Sequence, residues 1–226
     1  METVTMQIIA RIKSDFPDKF GIPRQSGLVP ELRSTIVFEP EYRNTDALRG
    51  LEDFSHLWII WQFSKAVRAD WSPTVRPPRL GGNTRLGVFA TRSPFRPNEI
   101  GLSSVKLLGI ENTAQYGTVI HVSGADLMDG TPIFDIKPYI PYCDCHSEAT
   151  GGFADTADNF LLEVQDPENQ LFKIEDAKRA ALLGVLSHDP RPSYQQDPDR
   201  IYGLTFSNHN IRFRVCDKSL TILSIQ

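Results

Sequence analysis

The sequence predicts a mainly β protein, a barrel or a sandwich, followed by a small C-terminal α+β domain. Three observations carry this. From Thr5 to Ile136, short apolar or β-branched runs alternate with Gly, Pro and Asn at the spacing of barrels and sandwiches. One run, Leu57 to Phe63, is apolar on both faces and predicts a central strand covered on each side. The strand, G-x-G-x-x-G and helix of doubly wound nucleotide folds are absent, as are G-x-x-x-x-G-K-[ST], H-E-x-x-H and G-x-S-x-G.

Element by element, strands are expected at Thr5 to Ile12, Thr35 to Phe38, Leu57 to Phe63, Leu86 to Ala90, Gly101 to Ile110, Thr118 to Val122 and Pro132 to Ile136. Asn44 to Leu51 predicts a short helix, capped by Asn44 or Thr45 and ended near Gly50. These elements fill a first domain, residues 1–141. Residues 142–158 are small, polar and glycine-containing, which marks a linker. A second domain, residues 159–226, holds a strand at Phe160 to Val164 and a helix from Glu175 to Leu186. Strands at Ile201 to Phe206, Ile211 to Val215 and Leu220 to Ile225 follow. The helix turns Ala177, Ala180, Ala181, Leu182 and Val185 toward a core.

A chain of 226 residues with 40% hydrophobic content can bury a sizeable core. Neither a secretory leader nor a bilayer-spanning run is legible. Three cysteines, two of them too close for an easy bridge, suggest a reducing compartment, by default the cytoplasm. Cys143-Asp144-Cys145-His146 invites a metal reading, but the spacing is tighter than structural zinc sites use, and no metal is expected. Acidic residues gather between Pro138 and Phe172, where Lys and Arg are absent, so this block is expected to face solvent.

The opposite bias marks the candidate site. Arg76, Arg79, Arg85, Arg92 and Arg96 lie between Trp71 and Asn98, a stretch without Asp or Glu in a chain of net charge −4. Pro94 and Pro97 fix the backbone there, predicting a rigid loop. Planar guanidinium forks suit carboxylate or phosphate. Two ligands fit: a nucleic-acid backbone, or a small cofactor bearing a carboxylate.

Four segments read as one distributed site: Phe20 to Gln25, Leu51 to Trp58, Gly81 to Gly101, and Asp129 to Tyr139. In order and wording they resemble the TsaA-like (TrmO) family of tRNA adenine-N6 methyltransferases, and Asp189-Pro190-Arg191-Pro192-Ser193-Tyr194 is similar to that family's C-terminal motif. The resemblance implies a single-sheeted β-barrel, S-adenosylmethionine (SAM) as methyl donor, and a homodimer with sites near the subunit interface. It implies as substrate the N6-threonylcarbamoyladenosine at position 37 of a tRNA, beside the anticodon. By matching position it also implies cofactor contacts at Pro23, Arg24, Gln25, Ser64, Lys65, Arg92, Leu102, Ser123, Gly124, Ala125 and Asp126.

SAM would need an anion partner, a hydroxyl partner and a desolvated wall. Arg24 or Arg92 suits its carboxylate, Gln25 and Asp126 its polar edges, and Leu102 its adenine; equally, Asp126 suits a turn cap and Leu102 a core. The carbamoylated acceptor nitrogen must lose a proton, and Asp135 and His56 are the general-base candidates by residue type. Lys137 suits the threonyl carboxylate or a phosphate. Arg96, Tyr139, Arg191 and Tyr194 are the candidate contacts to the anticodon loop, the aromatics by stacking on unpaired bases. A non-catalytic RNA-binding barrel and a methyltransferase acting on another acceptor remain the alternatives.

Overall fold

The computed structural model describes residues 2–226 except 69, 78–82, 156–159, 193, 194 and 196. Arg79, Asp158 and Tyr194 therefore lie outside the described residues. In chain order the elements are β1 (Ala10–Lys13), β2 (Arg33–Phe38), β3 (His56–Gln62), β4 (Thr74–Val75), β5 (Leu86–Gly87), β6 (Ile100–Thr113), β7 (Gly117–Ser123), β8 (Pro132–Pro138), α1 (Pro141–Asp144), β9 (Glu163–Gln165), α2 (Asp176–Ser187), β10 (Ile201–Phe206), β11 (His209–Cys216) and β12 (Ser219–Ile225). Mainly β structure is thus what the chain adopts.

Six strands pair in the order β1-β2-β7-β6-β3-β8, and β1 returns antiparallel to β8 to close the barrel. Alternation places Leu57, Ile59 and Trp61 of β3 inward, beside Ile12, Ile36, Val105, Ile120 and Ile133. Trp58, Ile60 and Gln62 point outward and stay half-buried. The strand expected to be covered on both sides is therefore covered by the barrel core on one side only. Its other apolar face is a surface.

Several expected elements shrink. Asn44 does cap the helical turn after it, its side chain accepting from the Asp46 amide at 3.0 Å, but Thr45–Leu48 is a single 3₁₀ turn. Leu86 and Gly87 pair only with Thr74 and Val75 in a two-stranded ribbon, and Val88–Ala90 coils into another 3₁₀ turn. The linker holds α1, whose last residue, Asp144, accepts from the Trp58 indole at 2.9 Å and from the Ile140 amide at 2.8 Å. One acid of the supposedly solvated block is thus bound to the barrel.

The C-terminal sheet runs β10-β11-β12-β9, with β9 parallel to β12. Its inner face buries Leu204, Phe206, Phe213 and Ile222 against Leu182, Val185 and Leu186 of α2. Phe16, Val29 and Leu32, which precede β2, are buried in this same core, with Phe20, Ile22 and Leu28 packed around it. The polypeptide between β1 and β2 is thus shared between barrel and C-terminal sheet.

Gly184 on α2 marks that junction, since a Cβ there would lie 2.6 Å from Val29 Cγ1. Alanine is the better helix former by about 1 kcal/mol, but overpacking a close-packed core costs roughly 1–3 kcal/mol, and branched valine has little rotamer freedom to yield. Gly184→Ala should therefore lower the unfolding midpoint in denaturant, and Val29→Ala should partly restore it in the double variant. A stabilised single variant would show that α2 is not wedged against Val29.

Candidate functional site

At one end of the barrel, a cleft of about 820 Å³ opens between four segments. The segment after Phe20 gives Ile22, Pro23, Arg24 and Gln25. The end of β3 and the turn after it give Trp58, Trp61, Gln62, Phe63, Ser64 and Lys65, and the arginine loop gives Phe89, Arg92, Phe95 and Arg96. Leu102 and Asp126 complete the wall. The volume suits one small ligand.

A close contact builds the floor. Any Cβ on Gly101 would fall inside the indole of Trp61, so the ring can lie over the β6 backbone only because residue 101 has no side chain. The Trp61 indole donates to Ser103 Oγ at 3.0 Å, and the Ser103 hydroxyl donates to Asp126 Oδ1 at 2.6 Å. Burial pushes the Asp126 carboxyl above the usual carboxylate range; the Ser103 hydroxyl, backbone amides and Arg92 oppose that rise without cancelling it. A carboxylate held so suits a cationic ligand group.

The other wall carries positive charge. Arg92 donates to the Gln25 side-chain oxygen. Arg24 Nη2 reaches the carbonyls of Asp189 at 3.1 Å and Arg191 at 3.2 Å. Arg96 is half-buried, with Nη1 donating to Thr91 O at 2.9 Å, and Ser93 N and Phe95 N donate to the hydroxyls of Thr91 and Ser93. The proline-flanked arginine loop is thus braced by hydrogen bonds from within.

Of the eleven residues carried over as cofactor contacts, Pro23, Arg24, Gln25, Ser64, Lys65, Arg92, Leu102 and Asp126 line the cleft. Ser123, Gly124 and Ala125 are buried behind it. There, Gly124 accepts from the Gly27 amide at 2.8 Å, and its positive φ of 75°, with a Cβ that would lie only 3.2 Å from Gly27, favours glycine at the entry to Asp126.

Asp135, Lys137 and His56 do not line the cleft. Lys137 and Asp135 form an ion pair at 2.9 Å on the outer face of β8, opposite Trp58 and Ile60 of β3. His56 shares that outer face, with Tyr139 packed between its ring (6.2 Å) and that of Trp58 (5.5 Å). The three candidates are neighbours, joined to the cleft through Trp58, which belongs to both. Arg191 is a correction to the expectation of a projecting RNA contact: it is buried, its Nε and Nη2 donating to the Asp189 carboxylate at 2.8 and 2.9 Å. The C-terminal motif thereby holds Arg24 in the cleft wall.

Sequence reasoning missed Phe63, Phe95, Gln62 and the Trp61–Ser103 pair. Among the described residues no group of His, Cys, Asp and Glu is arranged to hold a metal ion, and Cys143, Cys145 and Cys216 are free.

Fold and cleft define a class: a β-barrel protein that takes a small charged molecule without the doubly wound nucleotide scaffold. Family models narrow it. Residues 11–145 match the tRNA-methyltransferase O N-terminal domain and residues 153–226 the TrmO C-terminal domain, so the chain belongs to the TrmO family. It is 38% identical over 234 aligned residues to the tRNA (adenine(37)-N6)-methyltransferase of Escherichia coli, covering 100% of this chain and 99% of that one. A putative S-adenosylmethionine-dependent methyltransferase of Pseudomonas aeruginosa is 42% identical over 209 residues, covering 89% of this chain and 88% of its own. The crystal structure of TrmO from Pseudomonas aeruginosa superposes with a TM-score of 0.79 at 34% identity, covering both chains fully.

Asp126 yields a pH prediction. An acid whose pKa is raised protonates at higher pH than usual, so acidification removes the charge facing a cationic ligand. Cofactor affinity should fall from neutral to acidic pH, and Asp126→Asn should bind more weakly at neutral pH with a flatter profile. Calorimetry across pH checks this; parallel profiles for the two proteins would remove Asp126 from the binding account.

Proposed function

We propose that this chain methylates N6 of N6-threonylcarbamoyladenosine at position 37 of a tRNA. The family makes it a SAM-dependent tRNA (adenine-N6) methyltransferase acting at position 37. The observation that carries the reading is the pairing, across one cleft, of Arg92 with the buried carboxyl of Asp126, because SAM bears both a carboxylate and cationic centres. The donor set fits: a guanidinium for the carboxylate, Asp126 for a cationic group, Gln25 and Ser64 for polar edges, and Leu102 for the adenine face. Pro23 and Lys65 close the rim.

When bound, SAM supplies a methyl group on a sulfonium. The chain's own work is alignment, worth several orders of magnitude by itself. Trp58 forms the passage from the cleft to the outer face where the acceptor adenosine is to lie. There Tyr139 offers a stacking surface, Lys137 a cation for the threonyl carboxylate, and Asp135 or His56 a place for the N6 proton. Arg96 at the cleft rim meets the anticodon-loop phosphates, and Arg191 acts through Arg24.

We divide the work as follows. Residues 1–141 hold the cofactor, residues 142–158 connect, and residues 159–226 assist in holding tRNA. Phe89 is 72% exposed and Leu102 56% exposed at the cleft, and a second copy of the chain is the cover proposed for this rim. No helix among the described residues is long and apolar enough to cross a membrane, and the cytoplasm is the proposed location.

Arg92→Ala should weaken SAM binding by about 1.5 to 3 kcal/mol, the range for a charge-assisted contact, while leaving the melting temperature nearly unchanged. Unchanged affinity with a lowered melting temperature would make Arg92 structural. The substrate is tested by methyl incorporation into matched tRNAs with and without the threonylcarbamoyl group. Unmodified tRNA should bind yet turn over poorly. Equal turnover would point to an enzyme that methylates without reading the prior modification.

A further inference from the structure

The C-terminal sheet has one covered face and one bare face. Along β11, Ile211, Phe213 and Val215 point into the core beneath α2, so Arg212 and Arg214 point the other way, and both are exposed. Their cross-strand neighbours are small or neutral: Gly203 and Ser224 flank Arg212, and Ile201 and Thr221 flank Arg214. Neither arginine side chain has a hydrogen-bond or ion-pair partner among the described residues. The acids nearest in sequence and register, Glu163 and Asp217, share one shallow groove with Arg214 and Lys218 without forming an ion pair to Arg214, and Arg212 lies outside that groove.

In a protein of net charge −4, the overall field disfavours a polyanion, so docking one needs a local cationic patch. Two arginines with Cα atoms about 7 Å apart on one strand, bordered by side chains too short to cover them, offer accessible forks for phosphate oxygens. Aromatic side chains are absent from the strand positions flanking them, so the face is suited to backbone rather than to stacked bases.

We infer that the bare face of β10, β11 and β12, centred on Arg212 and Arg214, docks the phosphate backbone of the tRNA. The inference rests on the proposed tRNA substrate and adds a second, sequence-independent contact remote from the chemistry. It raises occupancy of the cleft without entering the reaction.

The test uses the full chain carrying Arg212→Gln and Arg214→Gln together, with tRNA binding followed by fluorescence anisotropy over a salt series. Affinity should fall about tenfold, and the slope of log K against log salt should shrink by roughly 1 to 2, as expected when two phosphate contacts are lost. KM for tRNA should rise with kcat retained at saturation, and SAM affinity should not move. The Arg212→Lys, Arg214→Lys pair should keep most of the affinity and the salt slope, which separates charge from any folding effect. Wild-type affinity and slope in the glutamine variant would overturn the inference while leaving the substrate reading intact. A wild-type chain that binds no tRNA would overturn both.

Discussion

The mouth of the barrel depends on the indole of Trp61 lying over the backbone of Gly101. Trp61 faces inward from β3, next to a strand position that must be glycine, and the ring then presents its N–H to Ser103. With the indole N–H given to it, the Ser103 hydroxyl turns its own hydrogen to Asp126. A side chain at residue 101 would displace the ring, and the orientation of Ser103 and of the carboxylate would go with it. One steric vacancy thus sets a chain of three polar groups that ends in the cleft wall.

A second dependence runs the other way, from the C-terminal sheet to the cleft. Phe16, Val29 and Leu32 are buried in the core beneath α2, so the loop between β1 and β2 is held at both ends by that core. Burial of each such side chain is worth about 1.5–3 kcal/mol, enough to fix the path of Pro23, Arg24 and Gln25 between them. Arg24 is then tied again, by the carbonyls of Asp189 and Arg191, in a turn held by the bidentate Arg191–Asp189 pair. The C-terminal region therefore shapes a barrel site that none of its described residues lines.

The mainly β class was legible because strand period and Gly/Pro punctuation are local properties. The arginine loop was legible because prolines fix φ wherever they stand. Most carried-over cofactor positions meet at one cleft, which a linear motif can indicate when each segment is a short loop. Other features depend on tertiary pairing. Arg191 stands between prolines and reads as exposed, yet Asp189 lies two residues before it and the turn folds the two charges together. His56, Asp135 and Lys137 sit in motifs that border the cleft, but strand alternation sends their side chains to the outer face. Leu57 to Phe63 looked doubly buried because a strand that is half core and half ligand surface is apolar on both sides.

The electrostatics of the cleft follow from where Asp126 is placed. An ionised carboxylate removed from water loses several kcal/mol of solvation, and a hydrogen bond to a charged group returns only about 1.5–3 kcal/mol. Ser103 and the backbone amides therefore leave a deficit, consistent with the raised pKa. With no cation beside it, this group contributes stability below its unfolded pKa and loses it as pH rises through its folded value. A cationic ligand reverses that balance by giving the carboxylate a charged partner in a largely desolvated setting. The same burial that disfavours an unpartnered charge makes that charge count for more once a cation is bound.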